Sequence, residues 1–126
     1  MSDTTTQVMP SLDRLKQIQK NCRSLASAQP DVMKAFDQLH KAGVATRALD
    51  TRTKELIALA ISVVTHCDDC ITHHIHDSLE AGATREEIAD ALGMAILMGG
   101  GPSMLYAAHA IEALDQHLAK KSASSS

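Results

Sequence analysis

Apolar side chains recur at three- and four-residue spacing along most of the chain, and no segment alternates apolar with polar residues in the β-branched style of a strand. The pattern predicts an all-α domain of six helices. Ser11 precedes Leu12, Leu15, Ile18 and Cys22, one apolar stripe on a first helix that fades near Ala28. Pro30 opens a second, expected to turn Val32, Phe36 and Leu39 inward and to stop at Gly43 with a left-handed C-cap. Asp50 and Thr51 offer capping oxygens to a third helix, "TKELIALAISVVTH", apolar on almost every side and therefore expected to be buried. The fourth carries "CDDCITHHIHDSLEAG" and ends at Gly82. Thr84 and Glu87 form a capping box for a fifth, which runs through Ile88, Leu92, Met94, Ile96 and Leu97 to Gly99. Pro102 suits the first turn of a sixth, through Leu105, Ile111 and Leu114 to about Leu118. Gly99 to Gly101 reads as a helix stop ahead of that proline start.

These boundaries give one domain over residues 11–119, between a polar N-terminal segment, 1–10, and a serine-rich tail, 120–126, both expected to be flexible. Two helices without a polar face are more than a six-helix domain can cover by itself, which predicts a homo-oligomer. With one Phe and one Tyr, the core must be built from Ala, Leu, Ile and Met.

Composition narrows the function classes. Of 126 residues, 44% are apolar and 21% charged, as in an ordinary folded domain. Twelve basic residues face fifteen acids, a net charge of -3, without a basic run to follow a phosphate backbone, so nucleic acid is not an expected partner. No stretch approaches the roughly 18 apolar residues of a membrane span. Without a recognisable leader, a cytoplasmic location is the default expectation. Three cysteines are too few for a secreted disulfide framework, and in a reducing compartment a C-x-x-C pair reads as catalytic or metal-binding.

That pair, Cys67 and Cys70, stands at the start of the fourth helix, where unpaired backbone N–H groups and the helix dipole favour a thiolate. His74 follows Cys70 by four residues, one turn further on the same face. Peroxide attacked by one thiolate leaves a sulfenic acid, which a thiol three residues away can condense with to give a disulfide. Glu55 is the one acid within the apolar stretch of the third helix; buried, it needs a partner, and desolvation makes it a candidate base, with an ion pair to an arginine such as Arg47 or Arg52 from elsewhere in the assembly as the structural alternative. A tetrahedral zinc site drawn from Cys67, Cys70 and His74 with His73 or His66 is the main chemical rival, weakened because only one C-x-x-C is present. His73 and His76 read as solvated or subunit-facing. Cys22 reads as a small buried hydrophobe. Tyr106 and His109, three apart on the last helix, could line a site or a subunit contact and are not promoted to candidates.

Glu55, the twelve-residue step to Cys67, C-x-x-C-x-x-x-H through Cys70 and His74, and "EAGATREEIADAL" together resemble the alkylhydroperoxidase D and carboxymuconolactone decarboxylase superfamily over about residues 46 to 115. The resemblance implies an all-α domain assembled as trimers or hexamers and, in the C-x-x-C branch, a thiol peroxidase of antioxidant defence. By position, Cys70 resembles the cysteine that attacks the hydroperoxide, and Cys67 the more exposed partner that resolves it and meets a dithiol reductant, such as a lipoyl group. His74 and Glu55 resemble the proton relay. No cofactor beyond the Cys67–Cys70 disulfide and no resident metal are implied. Asp69 stands where alkylhydroperoxidase D carries a histidine, and with Asp68 it opposes a thiolate electrostatically. The alternatives are a cofactor-free decarboxylase of the same superfamily, against which the cysteine pair argues, and a non-enzymatic oligomeric redox sensor.

Overall fold

A computed structural model describes residues 11–124. The segment 1–10 and the last two residues of the serine-rich tail lie outside the described residues. Six helices follow in chain order: α1 (Ser11–Ala28), α2 (Pro30–Val44), α3 (Thr51–Val64), α4 (Asp68–Glu80), α5 (Arg85–Gly99) and α6 (Gly101–Ser124), with no strand among the described residues.

Local chemistry sets most of the boundaries. Asp50 caps α3 by accepting the Thr53 backbone N–H at 2.8 Å. Thr84 and Glu87 satisfy one another's backbone donors at the start of α5, as the capping box requires. Helix α4 closes in a Schellman turn, with Gly82 at φ 94° while its N–H donates to the Leu79 carbonyl and that of Ala83 to Ser78. Gly43 departs from expectation. It lies inside α2, which runs to Val44 and passes into an extended Ala45, so no left-handed cap forms there. Helix α6 also continues past Leu118 to Ser124, where tail had been expected from residue 120.

Helix α3 packs against α4, α5 and α6, and α6 in turn packs on α4 and α5. Leu59, Val63, Ile71, Ile75, Ile88 and Leu114 are fully buried between them. Ala95, Ala107, Ala110 and Ala113 line the α5 and α6 sides of this core, where small side chains let helix axes approach closely. The tightest approach is at the α5–α6 corner. A Cβ on Gly99 would collide with the buried Ser103 side chain, so the glycine run is a packing device as well as a helix stop.

Helices α1 and α2 lie outside this core, α1 against α2, α4 and α6 and α2 against α1 and α3. In consequence α2 has no buried residue, and Val32, Phe36 and Leu39 face outward, Phe36 at 61% exposure. Cys22 on α1 is an exposed free thiol and not a core residue. Helix α3 buries Glu55, Leu59, Ser62 and Val63 but exposes Ile57, Ile61 and Val64, so it is not enclosed all round. Leu97 and Met98 on α5 are likewise turned outward, Met98 at 76% exposure. One chain of this size has only enough helices to cover one side of α3 and α5, whatever the apolarity of the other.

Candidate active site

The cysteine pair sits at a sharp turn between α3 and α4. The Cys67 N–H donates to the Ser62 carbonyl and the His66 N–H to that of Val63, both at 3.1 Å, which is a Schellman turn with His66 in the position glycine usually fills. His66 accordingly has φ 58°, the one positive φ outside glycine among the described residues. Cys67 then becomes the N-cap of α4: its Sγ accepts the Cys70 backbone N–H at 3.2 Å. Sulfur takes the capping place that a Ser or Asp oxygen commonly holds, and negative charge on it would be stabilised there by the helix terminus. The two sulfurs are joined in a disulfide across a Cα–Cα distance of 5.2 Å.

In this chain Cys70 is exposed and Cys67 half-buried, the reverse of the order that the resemblance implied. The physical reason is the cap. Cys67 is folded back over the first turn of α4, whereas Cys70 lies within that turn and points away from the core.

Glu55 is 3% exposed and meets His74 Nδ1 at 2.8 Å through Oε1. Within the chain its partner is this imidazole, while Arg52 reaches Asp50 and Glu87, at 3.8 and 3.6 Å. With the carboxylate ionised, Nδ1–H donates to it, which fixes the ring and leaves Nε2 as the nitrogen for proton exchange. Cys70 lies one helical turn before His74 on α4.

The acids of "CDDC" are not isolated charges. Asp69 pairs with Arg14 of α1 at 3.1 Å, which offsets its opposition to a thiolate, and Asp68 is hydrogen-bonded to His109 Nδ1 of α6 at 3.0 Å. Both pairs are substantially solvated, and the offset is correspondingly screened. Arg14, Gln17, Ile18, Asn21 and Asp69 border an open cleft of about 230 Å³ beside the α4 N-terminus.

Residues passed over in the sequence complete this end of the molecule. The Tyr106 ring stacks on His66 at 4.6 Å, 6° from parallel, and stands 5.4 Å from the His109 ring. The readable clue was His66 itself, a non-glycine residue directly before the cysteine motif at a helix end. His73 is not simply solvated either: Nε2 lies 3.0 Å from Asp77 Oδ2. That hydrogen bond raises the His73 imidazole above its ordinary value against the pull of burial. For Asp77, burial pushes the carboxyl up, but contact with His73 and neighbouring imidazoles outweighs it and leaves the group below its usual range. Among the described residues, two groups could present ligands to a metal, His40 with His73 and Asp77, and Glu55 with His74 and Asp77. Neither includes a cysteine.

Six helices around a buried carboxylate–histidine pair, with C-x-x-C at a helix start, match a known protein class. The carboxymuconolactone decarboxylase family model matches residues 30–113, and the chain belongs to that family. An uncharacterized protein of Cupriavidus necator is 41% identical over 102 residues, covering 81% of this chain and 90% of that protein. The alkyl hydroperoxide reductase AhpD of Mycolicibacterium paratuberculosis is 41% identical over only 46 residues, 36% of this chain and 26% of that protein. A solved carboxymuconolactone decarboxylase family protein from Legionella pneumophila superposes with a TM-score of 0.81 at 40% identity, over 84% of this chain and 95% of that one. Another from Thermotoga maritima, for which an antioxidative role has been suggested, gives 0.80 at 28% identity, over 90% and 97%.

Proposed function

We propose that this protein is a thiol-dependent peroxidase that reduces organic hydroperoxides through Cys67 and Cys70. The observation that carries the reading is the C-x-x-C pair, one thiol exposed and the other at a helix N-cap, one turn from a histidine held by a buried glutamate. The Cys70 thiolate attacks the terminal peroxide oxygen; the O–O bond breaks, Cys70 becomes a sulfenic acid, and the alkoxide leaves as alcohol after taking a proton. His74, oriented by Glu55, accepts the Cys70 thiol proton beforehand and returns it to that alkoxide. Cys67 then attacks the sulfenic sulfur, water leaves and the disulfide closes. A dithiol of the lipoyl type reduces it, becoming a disulfide itself and restoring both thiols. The exposed Cys70 is accessible to peroxide, and Cys67 at the cap is a stabilised leaving thiolate for that reduction. A cytoplasmic, reducing location suits the cycle. No helix among the described residues is long and apolar enough to cross a membrane.

The working form in this reading is a homo-oligomer, trimer or hexamer. Among the described residues, fourteen large apolar side chains are exposed, among them Phe36 and Leu39 on α2 and Leu97 and Met98 on α5, which favours association. Sedimentation of wild type beside Phe36→Glu and Leu97→Glu tests it; a wild-type monomer would end the idea.

The deciding experiment is steady-state consumption of an organic hydroperoxide with dihydrolipoamide, run beside Cys67→Ser and Cys70→Ser. Turnover that requires both cysteines supports the reading. Full turnover by Cys70→Ser sinks the assignment of roles, and a single oxidation without turnover, despite excess dithiol, favours a sensor. Lactone decarboxylation that survives loss of both cysteines favours the decarboxylase alternative.

A further inference from the structure

The redox reading leaves unused a second group of titratable side chains, contributed by α2 and α4. One ring nitrogen from each of His40 and His73 and a carboxylate oxygen of Asp77 lie within 4.8 Å of one another. The His40 and His73 rings stand 6.2 Å apart between centres, and His73 Nε2 meets Asp77 Oδ2 at 3.0 Å. His40 Nε2 is buried with no hydrogen-bond partner among the described residues, an arrangement that folded proteins rarely leave without some further group to satisfy it. His40 comes from α2, which buries no residue in the core and is held mainly through α1 and α3.

We propose that His40, His73 and Asp77 form a binding site for a zinc-class divalent ion that ties α2 to α4 and uses neither cysteine. The donor set decides the class: two imidazoles with one carboxylate suit zinc and its borderline neighbours, whereas calcium and magnesium want oxygen ligands. Zinc–ligand bonds of about 2.0 to 2.2 Å place tetrahedral ligand atoms roughly 3.4 Å apart, so atoms within 4.8 Å of one another need close by about 1.4 Å at most, within reach of side-chain rotation in this half-buried setting. Three protein ligands leave a coordination position open to water or a small ligand. Asp77 also lies within 4.8 Å of the Glu55 and His74 ligand atoms, so the ion would sit one carboxylate away from that pair. The site uses none of the residues assigned to the proposed peroxidase, and zinc binding and peroxide turnover can fail independently.

The test uses the untagged full chain, stripped of metal, with the Cys67–Cys70 disulfide intact so that neither sulfur can ligate. Calorimetric titration with zinc should give one ion per chain. Cobalt in its place should give ligand-field bands without thiolate charge transfer. Each of His40→Gln, His73→Gln and Asp77→Asn should weaken zinc at least tenfold, since even removal of an outer-shell partner costs about 10- to 100-fold. No binding by wild type overturns the proposal, as does unchanged affinity in variants that melt like wild type. Binding that appears only after reduction and vanishes in Cys67→Ser/Cys70→Ser also overturns it. Histidine side-chain NMR of wild type needs no variant to fold: zinc-induced shifts centred on His40 and His73 support the site, and shifts centred on His66 or His109 refute it.

Discussion

Replacing Glu55 with glutamine removes one charge from the most deeply buried ionisable contact at the site and leaves its shape intact. The carboxylate side chain is 4% exposed and that of His74 18%, so solvent screens little of their interaction. When His74 takes up a proton, an imidazolium and a carboxylate about 4 Å apart attract by about 4 kcal/mol at an effective dielectric constant of 20. The glutamine oxygen can still accept from Nδ1, and the carboxylate's desolvation cost disappears, so only part of that figure is lost. Hydrogen bonds to charged groups are worth about 1.5 to 3 kcal/mol, which corresponds to roughly a tenfold to hundredfold fall in peroxide turnover for Glu55→Gln. Folding stability should move by about 1 kcal/mol or less, because glutamine has the same shape, still accepts from Nδ1 and carries no charge to desolvate. Hydroperoxide consumption with excess dithiol, from about pH 6 to about pH 9, and urea denaturation of the same preparations provide both readouts. Turnover within twofold of wild type across that range would falsify the relay.

Gly99→Ala should cost about 1 to 3 kcal/mol in urea denaturation, because the new Cβ falls 2.7 Å from the Cβ of fully buried Ser103; Gly93→Ala, open to space in the same helix, should instead gain about 0.5 to 1 kcal/mol. Equal effects at the two sites would refute the close-packed corner. At His66, glycine relieves a left-handed backbone cost of about 1 to 2 kcal/mol that alanine retains, while both lose the Tyr106 stack, so His66→Ala should be less stable than His66→Gly by about that amount. Indistinguishable denaturation midpoints would rule out strain at this turn. The Thr53 hydrogen bonds hold the Asp50 carboxyl below its ordinary value. Its folded value being depressed, this contribution is complete above the unfolded value of about 3.9 and is lost as pH falls through the folded one. Wild type should therefore lose stability below about pH 4 more steeply than Asp50→Asn, and parallel curves in acid denaturation would contradict the cap.

Periodicity and capping chemistry by themselves determined six helices, the Asp50 and Thr84 starts, the glycine stop at Gly82 and the position of Cys67 and Cys70 at a helix start. All of these depend on residues within four or five positions of one another, where backbone hydrogen bonding is local. The spacing of Glu55, Cys70 and His74 also marked the candidate site. Only the tertiary structure decided which apolar faces were covered. Phe36 and Leu39 carry the same helical stripe as Leu59 and Val63, but α2 has no neighbour on that side. Tertiary packing also chose the partners of polar groups: Glu55 took His74 from 19 positions away, and Asp69 took Arg14 from 55 positions away. His40 joined His73 and Asp77 because α2 folds back toward α4, a meeting that neither helix records in its own pattern. An apolar face or a buried acid states a requirement in the sequence; which residue meets it depends on the packing of distant segments.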